Sequence, residues 1–128
     1  MKKIELIKNI DKEFPQNLLN IEKSPKELYI MGNKKLLNKK SLAIVGTRNC
    51  TPYGAECAEK FATDISKKNI CIISGMALGI DTFAHNGALE EKGNTIAVLG
   101  CGFDYIYPEE NIDLFNKIVE NGGLVVSE

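Results

Sequence analysis

Four short runs of consecutive apolar residues recur in the second part of the chain, at residues 42–45, 70–73, 96–99 and 124–126. Because each run is apolar at successive positions, both faces of the strand that it predicts must be covered, as they are in a parallel sheet. Segments of helical length separate the runs. The order β-α-β-α-β-α-β predicts right-handed crossovers and a three-layer α/β/α sandwich.

The three intervening segments carry helical patterns and helix-end signals. The first spans about residues 53–68, with Thr51 as the N-cap and Pro52 at the first helical position. Its apolar face consists of Cys57, Ala58, Phe61, Ala62 and Ile65. The second segment spans about residues 81–92 and stops at Gly93. The third spans about residues 109–121, opens on two acids that suit the helix dipole, and stops at two glycines.

The first forty residues lack this regularity. They are rich in lysine and are interrupted by Phe14-Pro15 and Ser24-Pro25. A short apolar stretch at residues 28–31 ends at Gly32 and predicts an edge strand. We therefore divide the chain into an irregular or helical lead-in at residues 1–40 and a regular core at residues 41–128.

Composition places the chain among ordinary globular domains. Of its 128 residues 44% are hydrophobic and 26% are charged. No apolar run approaches the roughly 20 residues that span a bilayer, and the first residues hold no signal-peptide core, so we expect a cytoplasmic protein without a membrane partner. The four cysteines form no Cys-x-x-Cys pair and the chain has one histidine. We therefore expect reduced thiols and no metal site.

Charge is unevenly distributed around a net value of −1. Residues 1–46 hold ten lysines and five acids, whereas residues 47–128 hold six basic and twelve acidic groups. A nucleic-acid contact would therefore be a local site rather than a whole basic face.

Ligands of open α/β sheets bind at the carboxyl ends of the strands, which directs attention to the loops at residues 46–51, 74–80 and 100–108. In the first loop Gly46 permits a sharp turn, and Thr47, Thr51 and the free N–H groups of the next helix can donate to a phosphate. Arg48 is the only arginine in the chain, against fifteen lysines, and offers a planar fork of donors. Tyr53 and Gly54 follow at the start of the predicted helix.

The second and third loops add further candidates. Ser74, Gly75 and Gly79 suit a tight turn with exposed N–H groups. Ser74, Asp81 and His85 are the residue types of a hydrolytic triad, but the Gly-x-Ser-x-Gly context is missing. Asp81 as an N-cap and His85 as a bridge from helix to loop are favoured instead. In the third loop Gly102 and Phe103 are candidates, because an aromatic ring can stack on a base. The alternative is that Phe103 and Tyr107 plug the loop against the core.

Standard nucleotide fingerprints are not present. Laid on Gly46, the Gly-x-Gly-x-x-Gly pattern puts Arg48 and Thr51 where glycines belong, and the second strand ends in Ser74 rather than an acid. No Gly-x4-Gly-Lys-Ser/Thr run occurs. A hydride-transfer enzyme and a P-loop ATPase are therefore disfavoured.

Taken together, these stretches resemble the DprA/Smf family of DNA-processing proteins in order and spacing. The resemblance covers nearly the whole chain, and its motifs are Ala43-Ile44-Val45-Gly46-Thr47-Arg48, Thr51-Pro52-Tyr53-Gly54, Ser74-Gly75-Met76-Ala77-Leu78-Gly79-Ile80-Asp81, Ala84-His85, residues 95–102, Tyr107-Pro108-Glu109-Glu110-Asn111 and Gly123-Leu124-Val125-Val126-Ser127-Glu128, with Phe14-Pro15 and Leu28-Tyr29 upstream.

The resemblance implies a Rossmann-like fold and a non-catalytic protein without a cofactor. Such proteins bind single-stranded DNA, protect incoming DNA in natural transformation and help to load the RecA recombinase. Arg48 matches an arginine of the family's DNA-binding pocket. The resemblance also implies that the family core continues past Glu128, so that residues 41–128 would be its first half. We expect this truncated part of the sheet to self-associate as a homo-oligomer.

Two other interpretations stay open. One is a small nucleotide-binding or nucleotide-hydrolysing Rossmann-like protein, although the Pro-Gly-Gly-x-Gly-Thr loop of such enzymes is absent. The other is an assembly fragment with no ligand.

Overall fold

A computed structural model describes residues 3–91 and 94–128. Its six strands form one sheet in the order β1-β2-β6-β5-β4-β3. The strands are β1 (Ile4–Lys8), β2 (Glu27–Gly32), β3 (Ser41–Ala43), β4 (Cys71–Ser74), β5 (Thr95–Val98) and β6 (Leu124–Ser127). The helices are α1 (Gln16–Leu19), α2 (Pro52–Ser66), α3 (Ile80–Glu91) and α4 (Ile112–Glu120), with 3-10 turns at Lys34–Asn38 and Glu109–Asn111.

The four predicted strands of the core are confirmed. β3, β4, β5 and β6 pair in parallel and in chain order, with helices α2, α3 and α4 as the connections. β6 is buried at all four positions, as its unbroken apolar run requires. β3 departs from the pattern, because Leu42 keeps 45% of its surface exposed at the sheet edge. The predicted end of the second helix at Gly93 lies outside the described residues.

The predicted strand at residues 28–31 is confirmed as part of β2, but its predicted place at the edge of the sheet is wrong. β2 pairs antiparallel with β1 on one side and with β6 on the other, so it lies inside the sheet. The edge on this side of the sheet is β1. The sequence pattern did not predict this strand, because only Ile7 of its five residues is buried. Strands from both sides of residue 40 thus belong to one sheet.

Helices α2, α3 and α4 pack on one face of the sheet. Ala62 of α2 and Ala84 and Ala88 of α3 contact Ile72 of β4. Ile118 of α4 packs with Ala97 and Val125 of the neighbouring strands. The predicted apolar face of α2 is correct in its small residues, but Phe61 is 56% exposed. The side of α2 that carries Glu59 and Ala62 instead approaches α3 closely at Gly87, where a Cβ would overlap the Glu59 carbonyl.

The opposite face of the sheet has a thinner cover. Phe14, Leu18 and the 3-10 turn with Leu36 pack on Ile30, Ile96 and Leu124. Beside this cover lies a cavity of about 910 Å³. Its apolar lining includes Leu18, Leu37, Ile73, Ile96, Val98 and Val126. We call this region the open face.

Within the described ranges, every helix is too short or too polar to cross a bilayer.

Candidate functional site

The carboxyl ends of β3, β4 and β5 bring the three predicted loops, at residues 46–51, 74–80 and 100–108, to one edge of the sheet. The first two loops are in direct contact. The Ile80 N–H donates to the Thr47 carbonyl at 3.1 Å. Gly79 has a φ of +83°, and a Cβ at this position would overlap the carbonyls of Thr47 and Arg48. The space beside Gly46 is likewise filled, because a Cβ there would lie 2.7 Å from Cγ1 of Ile80. These glycines allow the two loops to approach each other.

The start of α2 is capped as predicted. Thr51 Oγ1 accepts a hydrogen bond from the Gly54 N–H at 3.0 Å. Thr47 Oγ1 accepts from the Asn49 N–H at 3.3 Å. Both hydroxyls keep their own hydrogen for donation to a ligand. Tyr53, in the first turn of α2, is 76% exposed.

Arg48 is exposed on the first loop. Its guanidinium forms no hydrogen bond and no ion pair within 4.0 Å with any residue that the structure describes. Its main chain is fixed, because its carbonyl packs against Gly79. The first loop therefore presents an unpaired guanidinium, and its main chain is fixed by packing against Gly79.

Ser74 is turned away from the loop surface. Its Oγ donates to the Ile44 carbonyl at 2.6 Å, and the residue is buried. The hydroxyl thus joins the ends of β3 and β4. The prediction that Ser74 faces a ligand finds no support in this geometry.

Two backbone groups of the second loop are held by side chains from the first turn of α3. The Gly75 N–H donates to Asp81 Oδ2 at 3.0 Å, so this N–H, predicted to be exposed, has a partner inside the protein. Because α3 begins at Ile80, Asp81 lies in its first turn and is not the N-cap that was predicted. Thr82 Oγ1 donates to the Ala77 carbonyl at 2.7 Å.

His85 bridges from helix to loop, as predicted. Its Nε2 accepts from the Met76 N–H at 3.2 Å, which leaves the ring hydrogen on Nδ1. Nδ1 donates to Thr95 Oγ1 at 2.7 Å, and Thr95 donates in turn to the Ile72 carbonyl at 2.8 Å. Burial lowers the pKa of His85 to about 4, so the ring is neutral at physiological pH. Since His85 and Ser74 bond to other groups, a hydrolytic triad is not formed.

Asn111 also holds the second loop, although the sequence pattern predicted no role for it. It is buried, and its Nδ2 donates to the Met76 carbonyl at 2.8 Å and to Thr82 Oγ1 at 2.9 Å. The only signal in the sequence was its place at the end of the Tyr107-Pro108-Glu109-Glu110-Asn111 motif.

Three consecutive N–H groups in the second loop stay free. Those of Ala77, Leu78 and Gly79 have no acceptor among residues 3–91 and 94–128. They immediately precede α3, whose N-terminal end carries positive partial charge. Successive free N–H groups of this kind bind anions.

The third loop is tied to the core by Phe103. Its ring meets Phe115 of α4 edge-on, with centroids 6.1 Å apart. This contact favours the plugging role for Phe103 over base stacking. Tyr107 does not plug the core, because it is 63% exposed. Gly102 is exposed beside Phe103, and the Cys101 carbonyl accepts from Ser127 Oγ at 2.6 Å.

No group of three or more histidine, cysteine, aspartate or glutamate residues with metal-binding geometry occurs in the described part of the chain.

The parallel strands with glycine-rich loops at their carboxyl edge define a Rossmann-like α/β protein. The chain belongs to the DNA recombination-mediator protein A family, whose model matches residues 5–128.

Curated relatives and solved structures agree with this membership. The chain is 38% identical over 111 residues to the DNA processing protein DprA of Bacillus subtilis, covering 86% of this chain and 37% of the relative. It is 40% identical over 119 residues to DprA of Streptococcus pneumoniae, covering 93% and 42%. The chain thus spans about two-fifths of the length of these relatives.

The fold is similar to two solved structures. The X-ray structure of DNA processing protein A from Streptococcus pneumoniae superposes with a TM-score of 0.89 at 39% identity, covering 98% of this chain and 44% of that one. DNA processing protein A from Helicobacter pylori, whose single-stranded DNA binding mode has been studied structurally, gives a TM-score of 0.83 at 36% identity, covering 99% and 57%.

Proposed function

We propose that the chain binds single-stranded DNA through the phosphate backbone. The observation that carries this proposal is that the unpaired Arg48 lies on the first loop, whose Arg48 carbonyl packs beside Gly79 of the second loop, the loop that carries the free N–H groups of residues 77–79. A guanidinium and a row of N–H groups are both donors suited to phosphate oxygens. The Helicobacter pylori relative, at 36% identity, supports single-stranded DNA as the source of the phosphate.

The remaining site residues have secondary roles in this proposal. Thr47 and Thr51 each have a hydroxyl hydrogen to donate to phosphate, and the exposed ring of Tyr53 offers a stacking surface. Gly46 and Gly54 keep the first loop and the start of α2 close to the second loop. Gly102 lies at the exposed rim of the third loop.

The proposed setting is DNA uptake in natural transformation and RecA-dependent recombination. Family membership supports it, and RecA is the protein partner that we propose on the same ground. We also propose a cytoplasmic location and a binding rather than a catalytic role. The binding rather than catalytic role is supported by Ser74 and His85, because the side chains of both residues form hydrogen bonds inside the protein.

The first prediction concerns ligand class and Arg48. We expect the chain to bind oligo-dT more tightly than duplex DNA or mononucleotides, with an affinity that falls as salt rises because counterions are released. Arg48→Ala should weaken oligo-dT binding by roughly 1–2 kcal/mol and flatten the salt slope by about one unit. Arg48→Lys should recover only part of the loss, since a point charge does not replace a bidentate fork. Fluorescence anisotropy titrations at several salt concentrations measure both quantities.

The matched control is Lys68→Ala, which removes one positive charge beyond the C-terminal end of α2, at the opposite edge of the sheet. It should leave the salt slope unchanged. Salt-insensitive binding of a mononucleotide, as tight as that of oligo-dT, would instead favour the small nucleotide-binding alternative. Absence of binding to every probe would favour a fragment without a ligand.

The second prediction is self-association, which we propose to occur through the open face. Val98 lies on this face and is 48% exposed, and β3 has a strand neighbour on one side only among the described strands. An exposed apolar face drives association, and a net charge of −1 opposes it little. Sedimentation at micromolar concentration should show a dimer, and Val98→Glu should shift it to monomer. Phe61→Glu, which places the same charge on exposed α2, is the control that should leave the dimer intact. A wild-type monomer would contradict the proposal.

A further inference from the structure

Met76 occupies an unusual position in the second loop. It is fully buried, and its φ of 58° lies in the left-handed region. For a residue with a side chain this conformation costs about 1 kcal/mol or more, so it persists only where the surroundings hold it.

The two backbone polar groups of Met76 are held by two buried side chains from different elements. His85 of α3 accepts from its N–H at 3.2 Å, and Asn111, which precedes α4, donates to its carbonyl at 2.8 Å. Asn111 forms no capping hydrogen bond to α4, so its amide serves the loop rather than the helix. Thr95 fixes the His85 ring from the other side.

These hydrogen bonds fix the course of the main chain at residues 77–79. Once the peptide groups of Met76 are fixed, the Ala77 carbonyl is held by Thr82, and Gly79 is packed against the first loop. The N–H groups of Ala77, Leu78 and Gly79 are the ones left without acceptors in the described chain.

We propose that His85 and Asn111 are positioning residues for the phosphate contact. Both are buried and bond to the loop rather than to solvent, and they hold Met76 in the conformation that leaves the three N–H groups free for an anion. This inference rests on the proposed function.

Two pairs of variants test it. His85→Leu removes the acceptor for the Met76 N–H, whereas His85→Gln retains an amide oxygen that can accept it. Asn111→Asp replaces the donor that faces the Met76 carbonyl by an acceptor, whereas Asn111→Gln retains a donor. We expect oligo-dT affinity to fall about tenfold in His85→Leu and Asn111→Asp and to change less than about threefold in at least one of the two conservative variants, because only the former lose a hydrogen bond to the loop.

Leu36→Ala is the control that distinguishes a loss of oligo-dT affinity caused by the loop from one caused by lower stability. Leu36 is buried on the opposite face of the sheet, so this variant should lose stability while its folded fraction retains full affinity. Thermal unfolding and the amide NMR shifts of residues 77–79 are measured for every variant. The shifts should move in His85→Leu and Asn111→Asp but not in Leu36→Ala.

The possible failures are distinguishable. If the wild type does not bind oligo-dT, or Arg48→Ala does not weaken binding, the proposed function fails. If both behave as expected but folded His85→Leu and Asn111→Asp retain wild-type affinity, the positioning role is wrong. Should His85→Leu not fold, the Asn111 pair decides the question.

Discussion

Gly79→Ala is expected to lower the free energy of unfolding by roughly 2–4 kcal/mol. About 1 kcal/mol comes from placing a side chain at positive φ, and about 1–3 kcal/mol more comes from overpacking. The φ of Gly79 is +83°, and its added Cβ would overlap the carbonyls of Thr47 and Arg48. Because these are backbone atoms, no side-chain rotation relieves the overlap. Urea unfolding monitored by circular dichroism gives the change in the midpoint.

Two other glycines provide matched controls. Gly122 has a φ of +87° but nothing within 4 Å of an added Cβ, so Gly122→Ala should show the conformational cost alone, about 1 kcal/mol. Gly100 has open space and no positive φ, so Gly100→Ala should be close to neutral. If Gly79→Ala cost no more than Gly122→Ala, the contact between the first two loops would not be the tight one described. In that case the affinity for oligo-dT should also be insensitive to the substitution.

The strands of the core were predictable because burial on both faces leaves an unbroken apolar run. β6 and β4 show this directly, since nearly all their residues are buried. β1 was missed because it lies at the edge of the sheet and exposes Ile4 and Leu6 between polar residues. β2 was placed at an edge for the same reason: without β1 there was no partner for its second side. Strand order beyond the parallel run depends on contacts that are distant in sequence.

The candidate site was predictable in its location but not in its internal bonds. The ends of the predicted strands indicated the three loops. Arg48 was a candidate for phosphate binding because it is the only arginine in a chain with fifteen lysines. Ser74 was predicted to face a ligand because the sequence pattern shows where a strand ends but not the direction in which its last side chain points. Asn111 lies 35 positions from Met76, and no local pattern signals a hydrogen bond over that separation.

The stability of the fold should fall between neutral and moderately acidic pH because of His85, the only histidine in the chain. The pKa of its ring drops from the ordinary 6.5 to about 4 through burial. As pH falls, the unfolded chain therefore takes up a proton before the folded one does. The stabilisation is fully present above about pH 6.5 and is lost progressively towards pH 4, and the shift corresponds to about 3 kcal/mol. Urea unfolding at intervals from pH 7 to pH 4 measures the loss.

His85→Gln isolates this contribution from that of the carboxylates. The polar partners of His85 are the Met76 N–H and the Thr95 hydroxyl, neither of which titrates in this range. Glu59 works in the opposite direction, since partial burial and the neighbouring Glu90 raise its pKa, but it does so equally in both proteins. The difference in unfolding free energy between wild type and His85→Gln should therefore shrink by about 3 kcal/mol from pH 7 to pH 4. Curves that stay parallel over this range would show that folding does not shift the pKa of His85, and a difference that grows towards pH 4 would show that the ring is protonated in the fold. Either result would contradict the neutral ring on which the hydrogen bond from Met76 depends.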